Sequence, residues 1–588
     1  MAPLLTPACG RAVDVWTALS VEKIRPSAAA RISPSAHISA ARNEFEAVQI
    51  AITGQASNVN ATATDLAGTA GAIPAPRLYR EAIIDLALPS GLDGATGRFP
   101  DGLVPDVDET YGEKRNAFPF SVPAGETRVL WAEVLVPVGA APGDYTGSVR
   151  VTWDGGEAVV PLTVTVWPFT LPSTSSLRSA FGFSWGGIPA GHGIGPSDAY
   201  SRLRAQYGTF ALDHRITLSH VDDGNASLDH FASFYGPAID GTAPTRLPGA
   251  QMTGVELMGS ASGWSSAFQS RGWLDRLFQY TCDEPPLTCA WSDIPARART
   301  AKAADPQLRT LVTTTIQEAD ANGVTGSIDL LVPVINFLDD KPGSQFTGNQ
   351  RAKYDAFLAA SPRHELWAYQ SCMSHGCGGT VDFGNPTPLD AYYTGWPSYS
   401  IDASAVRNRA MQWLLFRYRL SGELYYETTQ AYTHDAWTNQ RDFSGNGDGT
   451  LFYPGTPAKI GGTTHVPVAS IRLKMIREGM EDYEYLALLA RSGGEADARA
   501  IADGLFPNAY ATNASPDALM AARAEIARRI IALGAKGTEP VPPVSPPATV
   551  PPLPGAGSGC DAGGSAGLAS VLALLAAAAL GRLRRRAG

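Results

Sequence analysis

Two adjacent acidic residues, Asp283 and Glu284, have the side chains best suited to chemistry in this sequence. The apolar segment FQYTC leads directly into them, and two prolines follow and end any strand. Two carboxyl groups in a poorly solvated place repel each other, so the pKa of one of them should rise. A carboxylic acid with a raised pKa can protonate the leaving oxygen of a glycosidic bond. The pair therefore predicts acid catalysis on a sugar; a surface turn whose Asp caps a helix is the alternative.

Two further segments carry side chains suited to a sugar-binding cleft. Trp367 and Tyr369 alternate in the segment ELWAYQS and therefore share one face of a predicted strand. Their rings suit a platform for a sugar, and they suit the protein core equally well. Glu427 ends the segment GELYYE, and His434 and Trp437 follow it. We expect these three side chains to reach the same cleft, with a structural role for each as the alternative.

Four of the six cysteines form two close pairs, Cys282 with Cys289 and Cys372 with Cys377. In an exported protein each pair predicts a disulfide that closes a short loop. Free thiols and a four-thiolate zinc site that includes His375 are the alternatives. Six and four residues separate the members of the two pairs, which does not repeat the usual spacing of zinc ligands.

Other motifs limit the classes of enzyme and the cofactors to be considered. The glycine-rich segment 442–449 has oxygen-bearing side chains that hint at calcium, but it lacks the full twelve-residue loop with its terminal Glu. We interpret it as a turn. No GxSxG elbow, Walker loop, HExxH motif or dinucleotide fingerprint occurs in a useful context. We therefore predict neither a metal site nor a cofactor.

The composition indicates several globular domains and excludes one class of partner. A chain of 588 residues exceeds one ordinary domain, and a hydrophobic fraction of 44% allows sizeable cores. The formal net charge is -10, and no dense patch of Lys and Arg occurs in the body of the chain. Because phosphate binding needs a basic surface, we expect no nucleic-acid partner.

The hydrophobic pattern divides the chain into elements that could position the acidic pair. Apolar alternation with regular turn clusters over 13–173 predicts a β-sandwich accessory domain. Strands and helices alternate over 178–492, which predicts a (β/α)8-like TIM barrel whose reactive residues lie where strands end. A helical extension is expected over 495–534. The amphipathic helix predicted over 471–489 should turn its acids towards solvent or use them as caps.

The C-terminal part of the chain predicts attachment to a cell surface. Residues 538–559 form a Pro-rich linker, and residues 560–588 contain Cys560, an Ala-rich apolar run and a terminal Arg cluster. A plain membrane anchor is one interpretation, although the apolar run is short for a membrane span. The same features resemble the C-terminal sorting tails called MYXO-CTERM, which implies processing near Cys560. We expect an exported protein that is extracellular or held at the cell surface or outer membrane, by the membrane itself or by sorting machinery.

Several segments resemble a known family. Residues 447–455 (GDGTLFYPG), 468–474 (VASIRLK) and 477–485 (REGMEDYEY) resemble the C-terminal signature of domain-of-unknown-function family 4091. Domains of that family are similar to the catalytic part of glycoside hydrolase family 123. Residues 41–49 (ARNEFEAVQ) resemble the N-terminal β-domain of family 123, so the resemblance covers about 13–492.

Resemblance to family 123 implies β-N-acetylgalactosaminidase activity with retention of configuration. Glu284 would act as general acid and then as base. Asp283 would orient the acetamido group of the substrate, whose carbonyl oxygen attacks the anomeric carbon and forms an oxazolinium ion instead of a covalent enzyme adduct. Trp367 and Tyr369 fall where the family places aromatic contacts to the glycan substrate.

The sequence departs from the family pattern at one place, and two other functions are considered as alternatives to the glycosidase described above. Cys282 and Cys289 bracket the acidic pair, and a disulfide between them would rigidify that loop. A non-catalytic, surface-anchored carbohydrate-binding or adhesion protein is the first alternative. The second is a retaining glycosidase that uses a protein carboxylate as its nucleophile.

Overall fold

The computed structural model describes residues 13–225, 227–257, 261–378 and 381–537. They form a sheet-rich N-terminal region, a parallel barrel and a group of C-terminal helices. The predicted linker 538–559, the tail 560–588 and its Cys560 lie outside the described residues.

The N-terminal region consists of two sheets with a shared apolar core. A five-stranded antiparallel sheet has the order β1-β3-β10-β7-β8, and the second sheet contains β2-β12-β11-β4-β9 with the short β5 and β6 at its side. The strands are β1 Asp14–Leu19, β2 Ala36–Arg42, β3 Glu44–Thr53, β4 Ala56–Ala63, β5 Leu66–Gly68, β6 Gly71–Ile73, β7 Arg77–Leu86, β8 Gly97–Pro105, β9 Phe120–Val122, β10 Thr127–Val136, β11 Gly143–Trp153 and β12 Gly156–Thr170.

Strand β3 connects this β-domain to the rest of the molecule because both of its faces are buried. Ile50 and Ile52 point into the core between the two sheets. Phe45 and Ala47 belong to the large apolar core that the barrel and its helices share. Side chains alternate across a strand, so one sheet contributes to two cores. The β-domain is therefore packed firmly on the barrel.

Seven parallel strands form the barrel sheet in the order β13-β21-β20-β17-β16-β15-β14. Three two-stranded sheets, β18-β19, β22-β23 and β24-β25, lie outside it. The strands are β13 Arg178–Phe181, β14 Val255–Glu256, β15 Leu277–Cys282, β16 Arg309–Val312, β17 Leu330–Leu331, β18 Asp339–Asp340, β19 Gly348–Asn349, β20 Glu365–Tyr369, β21 Gly422–Tyr425, β22 Arg441–Asp442, β23 Gly445–Asn446, β24 Phe452–Gly455 and β25 Val466–Ala469.

Residues 216–219 lie between the two edges of this sheet and partly close it. Phe181 on β13 exchanges backbone hydrogen bonds with this segment, donating to Thr217 at 2.8 Å and accepting from Ser219 at 2.9 Å. On the other side, the backbone N–H of Glu256 on β14 donates to the Ser219 carbonyl at 3.1 Å. The barrel is therefore partly closed, and its strands direct their C-terminal ends towards one mouth.

Helices surround the barrel and continue beyond it. They are α1 Gly187–His192, α2 Asp198–Asp213, α3 Leu228–Phe234, α4 Gly236–Asp240, α5 Ala261–Ser270, α6 Asp293–Ala304, α7 Ile316–Ala321, α8 Ile335–Leu338, α9 Asp355–Ala360, α10 Pro388–Tyr392, α11 Ala405–Arg417, α12 Pro457–Ile460, α13 Ile471–Leu489, α14 Glu495–Leu505 and α15 Pro516–Ala532. Short 3-10 helices occupy Leu274–Arg276, Thr325–Ser327, Arg351–Tyr354, Cys372–Ser374 and Gln430–Thr433, and a π-helical turn occupies Ala490–Gly494. In the described ranges no helix is both long and apolar enough to span a bilayer.

The acidic residues of α13 are buried, so the expectation that they form a solvent-exposed face of this helix is wrong. Glu478, Glu481 and Asp482 have no exposed surface. Asp482 accepts two hydrogen bonds from Arg409 of α11, at 2.6 and 2.7 Å. Arg215 lies 3.0 Å from Glu481. Other elements pack against α13 on all sides, and the arginines that they contribute compensate the buried charges, so the acids hold elements together.

Candidate active site

Strand β15 ends directly at the acidic pair. Asp283 and Glu284 follow Cys282, the last residue of the strand, and both are half-buried. Glu284 has a φ of 42°, in the left-handed region that residues with a side chain rarely adopt. Such a conformation costs about 1–3 kcal/mol and is concentrated at functional sites. The strained turn allows two consecutive carboxyl groups to face the mouth of the barrel.

Thr313, the residue after β16, holds both members of the pair. Its hydroxyl donates to Oδ1 of Asp283 at 2.8 Å and accepts from the backbone N–H of Glu284 at 2.7 Å. Tyr280 on β15 donates a second hydrogen bond to Oδ1 of Asp283, at 2.7 Å. Burial raises the pKa of Asp283, and these two hydrogen bonds oppose that rise because they stabilise the charged form. The Asp283 carboxylate is therefore fixed in position.

Glu284 has the environment expected of a general acid. Its pKa is raised to about 7, mainly by burial and also by the charge of Asp283. The Tyr369 hydroxyl donates a hydrogen bond to Oε1 of Glu284, which lowers the pKa in part. Near neutral pH the group can therefore both donate and accept a proton. The neighbouring carboxyl groups titrate as a pair.

Both predicted disulfides are present, and each closes a loop at this mouth. Cys282 and Cys289 are bonded across the loop that carries the acidic pair, with a Cα–Cα distance of 6.0 Å. Cys372 and Cys377 are bonded in the segment after β20, the strand that ends at Tyr369, with a Cα–Cα distance of 4.9 Å. The free-thiol and zinc alternatives are therefore excluded for these four cysteines.

Trp367 does not contact the mouth, which corrects its expected role in substrate binding. It shares the inward face of β20 with Tyr369, as predicted, but lies one layer deeper and has no exposed surface. Its ring packs against Phe278 at a centroid distance of 6.1 Å, and its Nε1 donates to Glu365 at 2.8 Å. A ring with no exposed surface cannot contact a sugar, so Trp367 fills the barrel and Tyr369 alone reaches the pair.

Glu427 follows β21 and accepts hydrogen bonds from two loops at the barrel mouth. Its Oε1 accepts from the backbone N–H groups of Thr428 and Thr429, both at 2.8 Å, and from the Thr429 hydroxyl at 2.8 Å. Its Oε2 accepts from the backbone N–H of Ser184 at 3.0 Å. Glu427 therefore links the loops after β13 and β21, and its contact with a substrate stays a prediction.

Trp437 lies at the boundary with the β-domain and away from the acidic pair. Its ring packs on Tyr453 at a centroid distance of 4.6 Å, and its Nε1 donates to the Pro454 carbonyl at 3.0 Å. The ring also contacts the core of the β-domain. These contacts give Trp437 a packing role, and its contact with a substrate stays a prediction. His434 pairs with Asp442 at 3.3 Å.

The glycine-rich segment 442–449 begins with a turn, in agreement with the interpretation from sequence. Strands β22 and β23 pair across a turn in which Phe443 and Ser444 have positive φ angles. Asp448 is buried, accepts from the Tyr425 hydroxyl at 3.1 Å and lies 3.4 Å from His375. Among the residues that the structure describes, no group of three or more His, Cys, Asp and Glu side chains could hold a metal ion.

The sequence interpretation missed two partners of the acidic pair, Tyr280 and Thr313. Tyr280 was within reach of the strand pattern, because it alternates with Phe278 on the inward face of β15. Thr313 gave no such signal, since it is one of three consecutive threonines. Its role depends on β16 being the neighbour of β15.

Comparison with known proteins relates the chain to one family of glycosidases. Residues 390–489 match the family model of the glycoside hydrolase 123 catalytic domain. This segment runs from α10 to the end of α13 and does not include Asp283 or Glu284. A comparison with curated proteins found no match.

Solved structures show a similar fold. The chain is similar to a family 123 glycoside hydrolase from Clostridium perfringens, studied for glycolipid glycan hydrolysis, with a TM-score of 0.63 and 13% identity over 89% of this chain and 98% of that one. Similarity to an FMN-binding beta-glucuronidase from Facaelibacterium prausnitzii L2-6 is much weaker, with a TM-score of 0.27 and 10% identity over 76% of this chain and 60% of that one. The first similarity extends over both the β-domain and the barrel.

Proposed function

We propose that the protein is a glycoside hydrolase that cleaves β-linked N-acetylhexosaminides, with N-acetylgalactosamine favoured, by substrate-assisted catalysis with retention. One observation carries the proposal. At the end of β15, Glu284 with a pKa of about 7 stands next to a carboxylate that two hydroxyl groups hold in place. The family model that matches residues 390–489 and the similar fold of the Clostridium perfringens enzyme support it.

The hydrogen bonds leave the reactive oxygens of the pair available. Both donors to Asp283 bind Oδ1, and Tyr369 binds Oε1 of Glu284. Among the described residues, neither Oδ2 of Asp283 nor Oε2 of Glu284 has a hydrogen-bond donor. Oδ2 is therefore placed to accept the N–H of an acetamido group, and Oε2 to carry the proton for the leaving oxygen.

The two steps of the reaction follow from this arrangement. Glu284 donates its proton to the glycosidic oxygen while the acetamido carbonyl oxygen bonds to the anomeric carbon and the glycosidic bond breaks. Asp283 keeps its negative charge and stabilises the oxazolinium ion. The Glu284 carboxylate then takes a proton from water, and the water oxygen attacks the anomeric carbon. The bond between this carbon and the acetamido oxygen breaks, which opens the oxazolinium ring. Each displacement inverts the anomeric carbon, so the product retains the configuration.

We also interpret the barrel as a (β/α)8 barrel. The seven parallel strands and the segment 216–219 make eight parallel segments around one axis. In barrels of this type the catalytic groups lie at the C-terminal ends of the strands, where Asp283 and Glu284 are found.

We infer that the protein works outside the cytoplasm, at the cell surface. The two disulfides support this, because disulfides form and persist in oxidising compartments. The sequence of the tail 560–588 supports surface attachment through a sorting tail of the MYXO-CTERM type or through a membrane anchor.

The proposed function is tested by hydrolysis of aryl N-acetyl-β-galactosaminides and N-acetyl-β-glucosaminides by the purified protein and by Glu284→Gln. We expect the wild type to release the aryl alcohol and Glu284→Gln to be slower by about 100- to 10,000-fold, the usual contribution of a general acid. Circular dichroism and thermal unfolding of the variant control for its fold. Equal turnover by the two proteins, or no turnover of either sugar by the wild type, contradicts the proposal.

A further inference from the structure

A third carboxylate faces the barrel mouth beside the acidic pair. Glu256 ends β14, the strand next to β15, and is in register with Phe278. Partners in a parallel ladder point to the same side of the sheet, and Phe278 lies in the barrel interior. Glu256 therefore points into the barrel interior. Its charge is the smallest of the causes that act on the pKa of Asp283, and it raises that pKa.

An ion pair with His220 holds the Glu256 side chain where solvent can reach it. Nε2 of His220, the residue after the segment 216–219, lies 3.0 Å from Oε2 of Glu256. The His220 side chain is 30% exposed and the Glu256 side chain is 17% exposed, so solvent reaches both at the mouth. Among the described residues Oε1 of Glu256 has no hydrogen-bond donor. It can therefore accept hydrogen bonds from a ligand.

An exposed aromatic ring adjoins this ion pair. Trp185 lies just after β13 and is 41% exposed, which is unusual for so large an apolar side chain. The ring contacts the His220 ring edge-on at a centroid distance of 5.9 Å. Its backbone carbonyl accepts a hydrogen bond from the Tyr200 hydroxyl at 2.9 Å, and Gly224 lies close against the ring. The indole is thus held at the mouth and remains partly exposed.

The geometry points to a sugar-binding subsite formed by Trp185, Glu256 and His220. The indole stacks on the apolar face of the sugar ring, Glu256 accepts hydrogen bonds from its hydroxyl groups, and His220 is a positioning residue that orients Glu256. One sugar is then surrounded by four neighbouring segments of the barrel, which end at Trp185, His220, Glu256 and Asp283. This inference rests on the proposed function and adds to it the residues that select the sugar epimer.

The first test compares the kinetics of Trp185→Ala with those of Tyr111→Ala. Tyr111 is an exposed aromatic residue of the β-domain, at 53% exposure, and serves as the matched control. We expect Trp185→Ala to raise KM roughly tenfold with a smaller change in kcat, as loss of a stacking contact predicts, and Tyr111→Ala to change neither. An unchanged KM for Trp185→Ala overturns the subsite.

The second test measures selectivity. Glu256→Gln is expected to change the ratio of kcat/KM for N-acetylgalactosaminide over N-acetylglucosaminide at least fivefold, and His220→Gln to change it in the same direction. A purely structural role would lower kcat/KM for both sugars equally. An unchanged ratio in Glu256→Gln therefore overturns the role of this carboxylate.

A binding measurement separates this inference from the proposed function. Calorimetry follows methyl N-acetyl-β-galactosaminide binding to Glu284→Gln and to the double variant that also carries Trp185→Ala. We expect the second substitution to weaken binding about tenfold. If the wild type hydrolyses neither sugar but this loss is seen, the proposed function fails and the subsite stands. If the wild type is active and the two affinities are equal, the subsite alone is wrong.

Discussion

Tyr369 tunes the acidity of Glu284 through a single hydrogen bond. Burial and the charge of Asp283 raise the pKa of Glu284, and the hydroxyl opposes this rise by stabilising the ionised form, so that the pKa is about 7. Tyr369→Phe removes this bond, so the pKa of Glu284 should rise and the protonated acid should persist to higher pH. We expect the basic limb of the kcat/KM profile to move upward, measured from pH 5 to 9.

The control for this prediction is a tyrosine that packs near the mouth without touching the pair. Tyr200→Phe removes a hydroxyl that donates to the Trp185 carbonyl at 2.9 Å and should leave the basic limb in place. A limb that stays in place or moves to lower pH in Tyr369→Phe would contradict the assignment of Glu284 as the acid.

Sequence could predict the acidic pair but not the depth of its neighbours. An apolar run that ends in two acids and two prolines marks a strand end, and β15 does end there. The alternation of Trp367 and Tyr369 predicted a shared face correctly. The alternation carries no information on the layer that each residue occupies inside the barrel. It therefore could not show that Trp367 is buried in the barrel core while Tyr369 reaches Glu284.

The loop between Cys282 and Cys289 is the element on which the geometry of the pair depends. Each of the two disulfides closes a short loop, for which chain entropy predicts a stabilisation of about 2 kcal/mol. Removing either disulfide by paired Cys→Ser substitutions should therefore lower Tm similarly. Of these two disulfides, only the one between Cys282 and Cys289 brackets the acidic pair. Its loss should therefore lower kcat at least tenfold. Loss of the disulfide between Cys372 and Cys377 should lower kcat less.

Kinetics and thermal unfolding of the two double variants check this expectation. The 372/377 variant is the matched control, because it loses a bond of the same kind at the same mouth. Equal losses of kcat in the two variants would mean that loop rigidity at the pair does not matter.

Secondary structure was predicted correctly where a periodic pattern of apolar residues extends over many residues. It was missed where a strand is very short. The helix predicted over 471–489 has the bounds Ile471–Leu489. Strand β14 has two residues, too few for any pattern, and Glu256 was missed with it. The segment 216–219 joins the sheet through backbone hydrogen bonds to Phe181 and Glu256, and these depend on the closure of the sheet.

At the scale of the whole molecule, buried ion pairs join the β-domain, the barrel and the C-terminal helices. Glu133 of β10 lies 2.8 Å from Lys474 and 2.7 Å from Arg477, both on α13. Arg523 of α15 pairs with Glu44 and, at 3.0 Å, with Glu46, both on β3. The charges come from segments far apart in the chain, so a sequence pattern could not show that the acids of α13 are buried.

Removing one partner from this network should destabilise the entire molecule. Arg409→Met leaves the buried Asp482 without its two hydrogen bonds from Arg409, which should cost about 3–5 kcal/mol. Arg499→Met removes an exposed pair with Glu495 and should cost less than about 1 kcal/mol. Denaturant unfolding followed by fluorescence and circular dichroism measures both. Separate transitions for the β-domain and the barrel in Arg409→Met would contradict a network that joins them.

The dependence of rate on the leaving group tests the role of Glu284 most directly. Substrates are aryl N-acetyl-β-galactosaminides whose aryl alcohols range from acidic to weakly acidic, and the measured quantity is the ratio of wild-type to Glu284→Gln rates. An acidic aryl alcohol leaves without a proton, so the ratio should be small for it and should rise steeply as the alcohol becomes less acidic. A ratio that is the same for all leaving groups would show that Glu284 does not protonate the glycosidic oxygen.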